Sequence, residues 1–422
     1  MGNNGGSMNT TRTVNTVAMT VLIIMLGLTS PFSTDMCLPA LTTIAADFNT
    51  SYSEANLLII VFFLFMAICT LIAGPLSDRW GRKKILLTSL ALFAVGNFGC
   101  SFANGLVVLI GFRAIAACGA GGMLNSSTAL TKDVFSGYAR ERTLHVVHAF
   151  QILGPLLAPS IGAFLLNHLS WHASFTVLAV MGVAEIVLAA LQPETQPANE
   201  QGASTLGSTF KMLGTILKNR NFTCMLIVAG GLQACFMAYL ATSSYIYTVN
   251  FGVSTTAYGI FFGACALISL ISPPVYLKVL YPRFAAAKIY RGNQICVFIA
   301  ALLIIIVGVL QGQGVLSSLG LGAPLLFMLC WALIAFNNTM ARPLATSIML
   351  RQHEGSSGAV SALINFGLYI IGLVGMCLGS LGWSNYIVAL GVIIATIIAA
   401  MAVLFALISR PSFGMIFDDK AE

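Results

Sequence analysis

Charge is what this chain has least of. Asp, Glu, Lys and Arg make up 8% of the 422 residues while 58% are hydrophobic, against about a quarter charged in an ordinary soluble domain. That scarcity excludes a water-facing surface wrapped around a soluble core. The ten cysteines stand one by one with no C-x-x-C pair, so neither a metal site nor a disulfide framework is indicated. Nucleotide-binding loops and nucleophile motifs are also missing, and with them any reason to expect an enzyme or a bound cofactor.

Long apolar runs are what the chain has instead. Stretches long enough for a helix to cross ~30 Å of hydrocarbon lie near 14–38, 55–76, 85–103, 106–131, 143–166, 171–191, 222–248, 258–280, 292–311, 322–342, 357–379 and 384–409. With these twelve spans, the loops near 39–54, 103–105, 167–171, 249–257, 311–321 and 379–384 hold no Lys or Arg. Nineteen of the twenty basic residues fall on the other side or at a span's end there, Arg113 being the exception. The positive-inside rule then makes the basic side cytoplasmic, with both termini inside. The net charge of +7 reports orientation in a lipid bilayer and not a nucleic-acid partner.

The expected architecture is all-α: a tail at 1–13, a six-helix bundle over 14–191, a linker over 192–221, a second bundle over 222–409 and a tail at 410–422. Two such bundles suit a monomeric transporter whose small-molecule site lies between them near the midplane. A non-transporting membrane sensor is the remote alternative, and it predicts a soluble signalling domain that the short tails do not supply.

The stretch Gly74-Pro-Leu-Ser-Asp78-Arg79-Trp-Gly81-Arg82-Lys83-Lys84 reads as a compact polar loop between two spans. Gly74 and Gly81 would let it turn tightly, with Asp78 as a charged latch between Arg79 and Arg82. A generic cytoplasmic hairpin would carry the same charge. The spacing G-x-L-x-D-R-x-G-R-K-K resembles the signature loop between the second and third helices of the major facilitator superfamily, which implies a gating role. On that basis Asp78 is expected to meet the N-terminus of span 11, around Ser356 to Gly358, when the inside is shut.

In span 5, Gly154, Pro155, Ala158, Pro159, Gly162 and Ala163 form a small-residue face that permits close helix approach. Tight packing alone accounts for it. It also resembles the G-x-x-x-G-P-x-x-G-G element of the superfamily's exporters, with two alanines for glycines, and so implies antiport. The segments T-D-x-x-L-P-A-L at Asp35, K-D-x-F-S-G at Lys132, L-S-W-H at Leu169 and G-x-x-S-A-L at Gly358 resemble the Bcr/CflA-type drug:proton antiporters.

Asp35, Arg113 and Glu185 are the ionisable residues placed at depth within predicted spans. Charges at such depth are costly and are functional candidates by default. Asp35, one to two turns short of the outer end of span 1, is placed to take a proton when shut from water and release it later; a wetted helix-end carboxylate is the plain alternative. The resemblance implies a proton-coupling role for Asp35 and a proton-relay role for Arg113. A cation at that depth needs a carboxylate or several carbonyls; an arginine snorkelling to a helix end is the alternative. Glu185 matches no motif and serves either coupling or helix pairing.

Neutral polar and aromatic residues supply a candidate cavity lining: Asn125, Gln151, Gln233, Phe236, Tyr239, Asn338 and Asn365. Core packing also explains the aromatic ones. An importer of dicarboxylates or sugar phosphates would want two or more cavity cations. Only Arg113 is offered, since Lys278 and Arg342 fall near cytoplasmic span ends. The sequence therefore suggests export of neutral or cationic lipophilic drugs or antibiotics in exchange for protons, with proton-coupled movement of a small metabolite as the alternative.

Overall fold

The computed structural model describes residues 16–135, 137–195, 206–352 and 357–417. Within them the apolar runs form twelve long helices: α1 Thr16–Asp35, α2 Leu57–Trp80, α3 Arg82–Ser101, α4 Leu106–Val134, α5 Gly137–His168 and α6 Trp171–Leu191, then α7 Arg220–Tyr245, α8 Thr255–Leu270, α9 Ala286–Gly312, α10 Gly322–Arg351, α11 Ser357–Gly379 and α12 Tyr386–Ile408. Eleven of the described helical segments are long and apolar enough to cross a membrane. The remaining long helix, α5, runs for 32 residues, and part of its side chains lies outside the described set. A shorter helix, Leu206–Lys218, occupies the linker.

Side-chain caps mark where helices begin. Asn219 accepts from the N–H groups of Asn221 and Phe222 at the head of α7, and Asn385 does the same for Ile387 and Val388 at the head of α12. Ser51 and Glu54 form a reciprocal capping box just before α2. Each such cap satisfies backbone donors that the helix itself cannot.

The first six helices pack on one another, α3 and α2 against α4 and α1 against α5, and the last six do likewise, α7 against α11 and α9 against α12. Two seams join the halves, α5 on α8 and α2 on α11. Small residues make the α5–α8 seam tight. A β-carbon on Gly259 would fall 2.9 Å from the Ser160 backbone, and one on Gly263 at 2.9 Å from the Leu156 carbonyl.

All twelve chain crossings alternate between a face rich in Lys and Arg, called here the basic face, and a far face that carries none in its loops. At the far face the halves are closed against each other. Tyr52 and Asn56, at the far end of α2, donate to the Ala241 carbonyl of α7 at 2.9 and 3.0 Å. The Tyr52 ring packs against Tyr245 and Tyr386 with centroids 5.0 and 6.0 Å away. Asn167 of α5 exchanges hydrogen bonds with Thr255 and Thr256 of α8.

The stretch expected as a polar loop differs. Helix α2 continues through Gly74 and Asp78 to Trp80, and the chain reverses at Gly81 alone, whose φ of 97° is a conformation open chiefly to glycine. Gly74 makes no turn. It lies within the helix beside Asn125 of α4, and an added β-carbon would sit at ordinary contact distance, 3.6 Å, from that side chain. A helix buries the backbone polar groups that a loop would leave open, so the spans run on past their apolar cores.

Candidate functional site

Arg113 is the most deeply placed cation. It lies on α4, is 0% exposed, and faces the end of α1. Its guanidinium donates to the Ser33 hydroxyl at 3.1 Å, to the Ser33 carbonyl, and to the Cys37 sulfur at 3.6 Å. The Phe62 ring lies 4.0 Å below it and Phe175 at 5.6 Å. Among the described residues no carboxylate lies within ion-pair distance of it. Backbone and hydroxyl dipoles with ring faces thus stabilise the charge where the sequence suggested a carboxylate or several carbonyls.

Asp35 ends α1 two residues beyond the arginine's anchor. It is 5% exposed and accepts from the Thr34 hydroxyl at 2.8 Å. Glu185 on α6 is fully buried; Thr29 of α1 donates to its Oε1 at 2.7 Å, while Oε2 has no partner. Asp35, Arg113 and Glu185 therefore all converge on α1, one carboxyl on either side of the arginine's anchor. A carboxyl with one oxygen unpartnered in an apolar interior is poorly stabilised as an anion.

The close packing of α5 belongs to the same place. A β-carbon on Gly154 would press into the Pro31 ring of α1, and one on Gly162 would collide with the Met36 carbonyl. Pro155 and Pro159 lie within the helix between them. So Gly154 and Gly162 hold α5 against the segment that carries Asp35.

At the basic face Arg82 is a hub. It pairs with Asp78 at 2.6 Å and with Asp133 of α4 at 3.1 Å, and also donates to the Ser77 hydroxyl. Glu194 caps α3 by accepting from the Arg82 and Lys83 N–H groups at 3.0 and 3.1 Å, while Lys83 donates to the carbonyls of Ala190 and Gln192. Asp78 is thus latched to Arg82, whereas Arg79 points away and is exposed. The contact expected between Asp78 and the stretch around Ser356 lies outside the described residues. Asp133 and Glu194 were missed from sequence. The K-D-x-F-S-G segment carries Asp133, but nothing local tells that it faces Arg82.

The expected cavity lining divides. Gln233, Asn338 and Arg342 line one small recess between α7, α9, α10 and α11 with room for about one water, and Arg342 donates to Asn365 Oδ1 at 3.4 Å. Asn125 and Phe236 are half-buried. Tyr239 does not reach the passage: it is 1% exposed and stacked on Trp331 at 3.7 Å, inside the packed second half. Gln151's side chain lies outside the described residues.

Arg342 is the other residue that sequence reasoning misplaced. It was assigned to the end of a span closing near residue 342, but α10 runs to Arg351, which leaves Arg342 nine residues, or about 14 Å, inside the helix end. The polar residues Asn337, Asn338 and Arg342 end the apolar run early, and the apolar, helix-compatible residues at 344–350 are the available signal. Arg342 thus adds an exposed cation on the recess wall of the second half, beside the buried Arg113 of the first.

Comparison with known proteins supplies the family. The Major Facilitator Superfamily description matches residues 23–376. The chain is 31% identical over 250 residues to the uncharacterized MFS-type transporter YdgK of Bacillus subtilis (strain 168), covering 58% of this chain and 62% of that protein. It is 27% identical over 257 residues to the multidrug resistance protein MdtL of Escherichia coli O6:H1, covering 60% and 65%. The matched region thus spans a little under two-thirds of the length of these relatives. Among solved structures, the peptide transporter POT in complex with sulfate superposes with a TM-score of 0.73 at 14% identity, covering 95% of this chain and 96% of that one. The D-xylose-proton symporter gives 0.68 at 17% identity, covering 93% and 96%. At these identities the likeness is one of fold. The chain belongs to the Major Facilitator Superfamily and is a multi-pass membrane protein.

Proposed function

We propose that this protein exports small lipophilic compounds in exchange for protons, as an antiporter of the Bcr/CflA type conferring drug or antibiotic resistance. It works as a monomer in the bacterial inner membrane, with the basic face and both termini in the cytoplasm and a bundle on either side of residues 192–221. The observation that carries the reading is the pair of buried carboxyls on α1 and α6. Asp35 and Glu185 flank an arginine that is neutralised by neither. Groups so placed change charge as water reaches them, which a proton-coupled cycle needs. The multidrug name of a 27% identical relative supports the cargo class.

In this cycle the closed seam at Ala241 and the exposed lining at Arg342 belong to the inward-facing state. Opening the far face lets water and a proton reach Asp35. The Ser33 carbonyl and hydroxyl held by Arg113 are on the same turn of α1, so a charge change at Asp35 is felt where α1, α4 and α5 meet. The arrangement of Arg82, Asp78 and Asp133 holds α2, α3 and α4 together as one gate element.

Inverted vesicles test this directly. With an inward-acid gradient, lipophilic cations, neutral antibiotics and lipophilic carboxylates are added and proton release is followed in wild type and Asp35→Asn. Release that depends on compound and disappears in the variant is expected. No release with any compound, in vesicles where insertion is verified, overturns export and favours metabolite uptake; release that survives in Asp35→Asn moves the coupling to Glu185 or Arg113.

A further inference from the structure

Arg342 presents an unusual inventory. It is exposed, yet it stands well inside α10 on the wall of the recess, with one long hydrogen bond, to Asn365, among the described residues. Among the described residues no carboxylate lies within ion-pair distance of it. A guanidinium carries five N–H donors in a planar fork, so most of its donor capacity is unspent.

The groups around it are neutral and rich in donors. Gln233 and Asn338 line the same recess, as does Tyr290, which is 0% exposed with a hydroxyl that has no partner. A buried hydroxyl left unpaired is costly. On α9, the Gln294 amide nitrogen is likewise buried and unpartnered one turn further on. The rest of the wall is apolar, from Leu232 and Leu368. An exposed guanidinium at the mouth of this recess, with no counter-charge among the described residues, favours an anion that the protein itself does not supply.

We propose that this recess is an anion subsite: Arg342 grips the carboxylate of an amphiphilic cargo, with Tyr290 and the Asn338 and Gln233 amides as further donors. The inference rests on the transport reading above and narrows its cargo to organic anions and zwitterions with one carboxylate end. The recess itself has room for little more than one water-sized group, so it takes a carboxylate oxygen only, and the remainder of the cargo extends outward past the exposed guanidinium. The planar fork matches a carboxylate at two points, so Lys at this position retains charge and loses geometry.

Three probes of one shape separate the possibilities: 2-naphthoate, 2-naphthamide and 2-naphthylmethylammonium, titrated calorimetrically into the purified full chain in detergent. The carboxylate is expected to bind about tenfold tighter than the amide, with the ammonium weakest. Arg342→Gln should abolish that preference, Arg342→Lys should keep part of it, and Tyr290→Phe should weaken the carboxylate about threefold. Equal affinities, a preference for the ammonium, or a carboxylate preference that survives in folded Arg342→Gln overturns the subsite. Absence of binding by all three probes overturns it as well. Proton release in vesicles, read separately, distinguishes the two failures: binding preference without release refutes antiport and leaves the subsite, and release without preference does the reverse.

Discussion

Taking away the two donors that hold the Ala241 carbonyl tests whether hydrogen bonds keep the far face shut. Tyr52 and Asn56 reach that one oxygen at 2.9 and 3.0 Å from positions 8% and 0% exposed. A net intramolecular hydrogen bond contributes about 0.5–1.5 kcal/mol. Tyr52→Phe with Asn56→Ala should therefore weaken the closed state by about 1–3 kcal/mol, roughly 5- to 150-fold in the closed-to-open equilibrium. Because both bonds end on one acceptor, each single variant leaves the other donor in place, and the double variant should exceed the sum of the singles. Tyr52→Phe keeps the ring against Tyr245 and Tyr386, so its effect isolates the hydroxyl.

Cys37 supplies the readout, since its thiol is 1% exposed at the far end of the first bundle. A membrane-impermeant maleimide added from the far side should label it faster in the double variant by a factor in that range. Site-resolved peptide mass spectrometry separates it from the other nine cysteines. A labelling rate equal to wild type, in a double variant that is folded, would refute the idea that these bonds hold the seam; a full effect from either single variant would show that the shared carbonyl is not the determinant.

Thr29→Val removes the one hydrogen bond to the Glu185 carboxyl, and should lower stability in detergent by about 1–3 kcal/mol. A melting temperature restored by adding Glu185→Leu is expected, because the stranded polar group is then gone; no drop in Thr29→Val would mean the carboxyl finds water. Gly162→Val sets a branched side chain on the Met36 carbonyl and should cost about 1–3 kcal/mol or more through forced separation of α5 from α1. Size-exclusion profile and melting temperature read this, and wild-type values would show that the close approach is dispensable.

Hydropathy was enough to set the number and class of the helices, and charge the two faces between which they alternate. An apolar run has one low-energy form in lipid, because only a helix satisfies its own backbone there, and the loops without Lys or Arg exclude a miscount by one span. Asp35, Arg113 and Glu185 stood out for the same reason: charge is expensive in hydrocarbon wherever the helix is later packed. Tertiary structure alone decided their partners. Arg113 binds the Ser33 carbonyl from 80 residues away, Thr29 reaches Glu185 across 156 residues, and Asp133 rather than Arg79 completes the hub at Arg82. It also turned Tyr239 into core, and Arg342 from a helix end into the wall of a recess. Hydropathy averages over a helix and is blind to its azimuth, so which face meets which neighbour emerges only when twelve helices pack together.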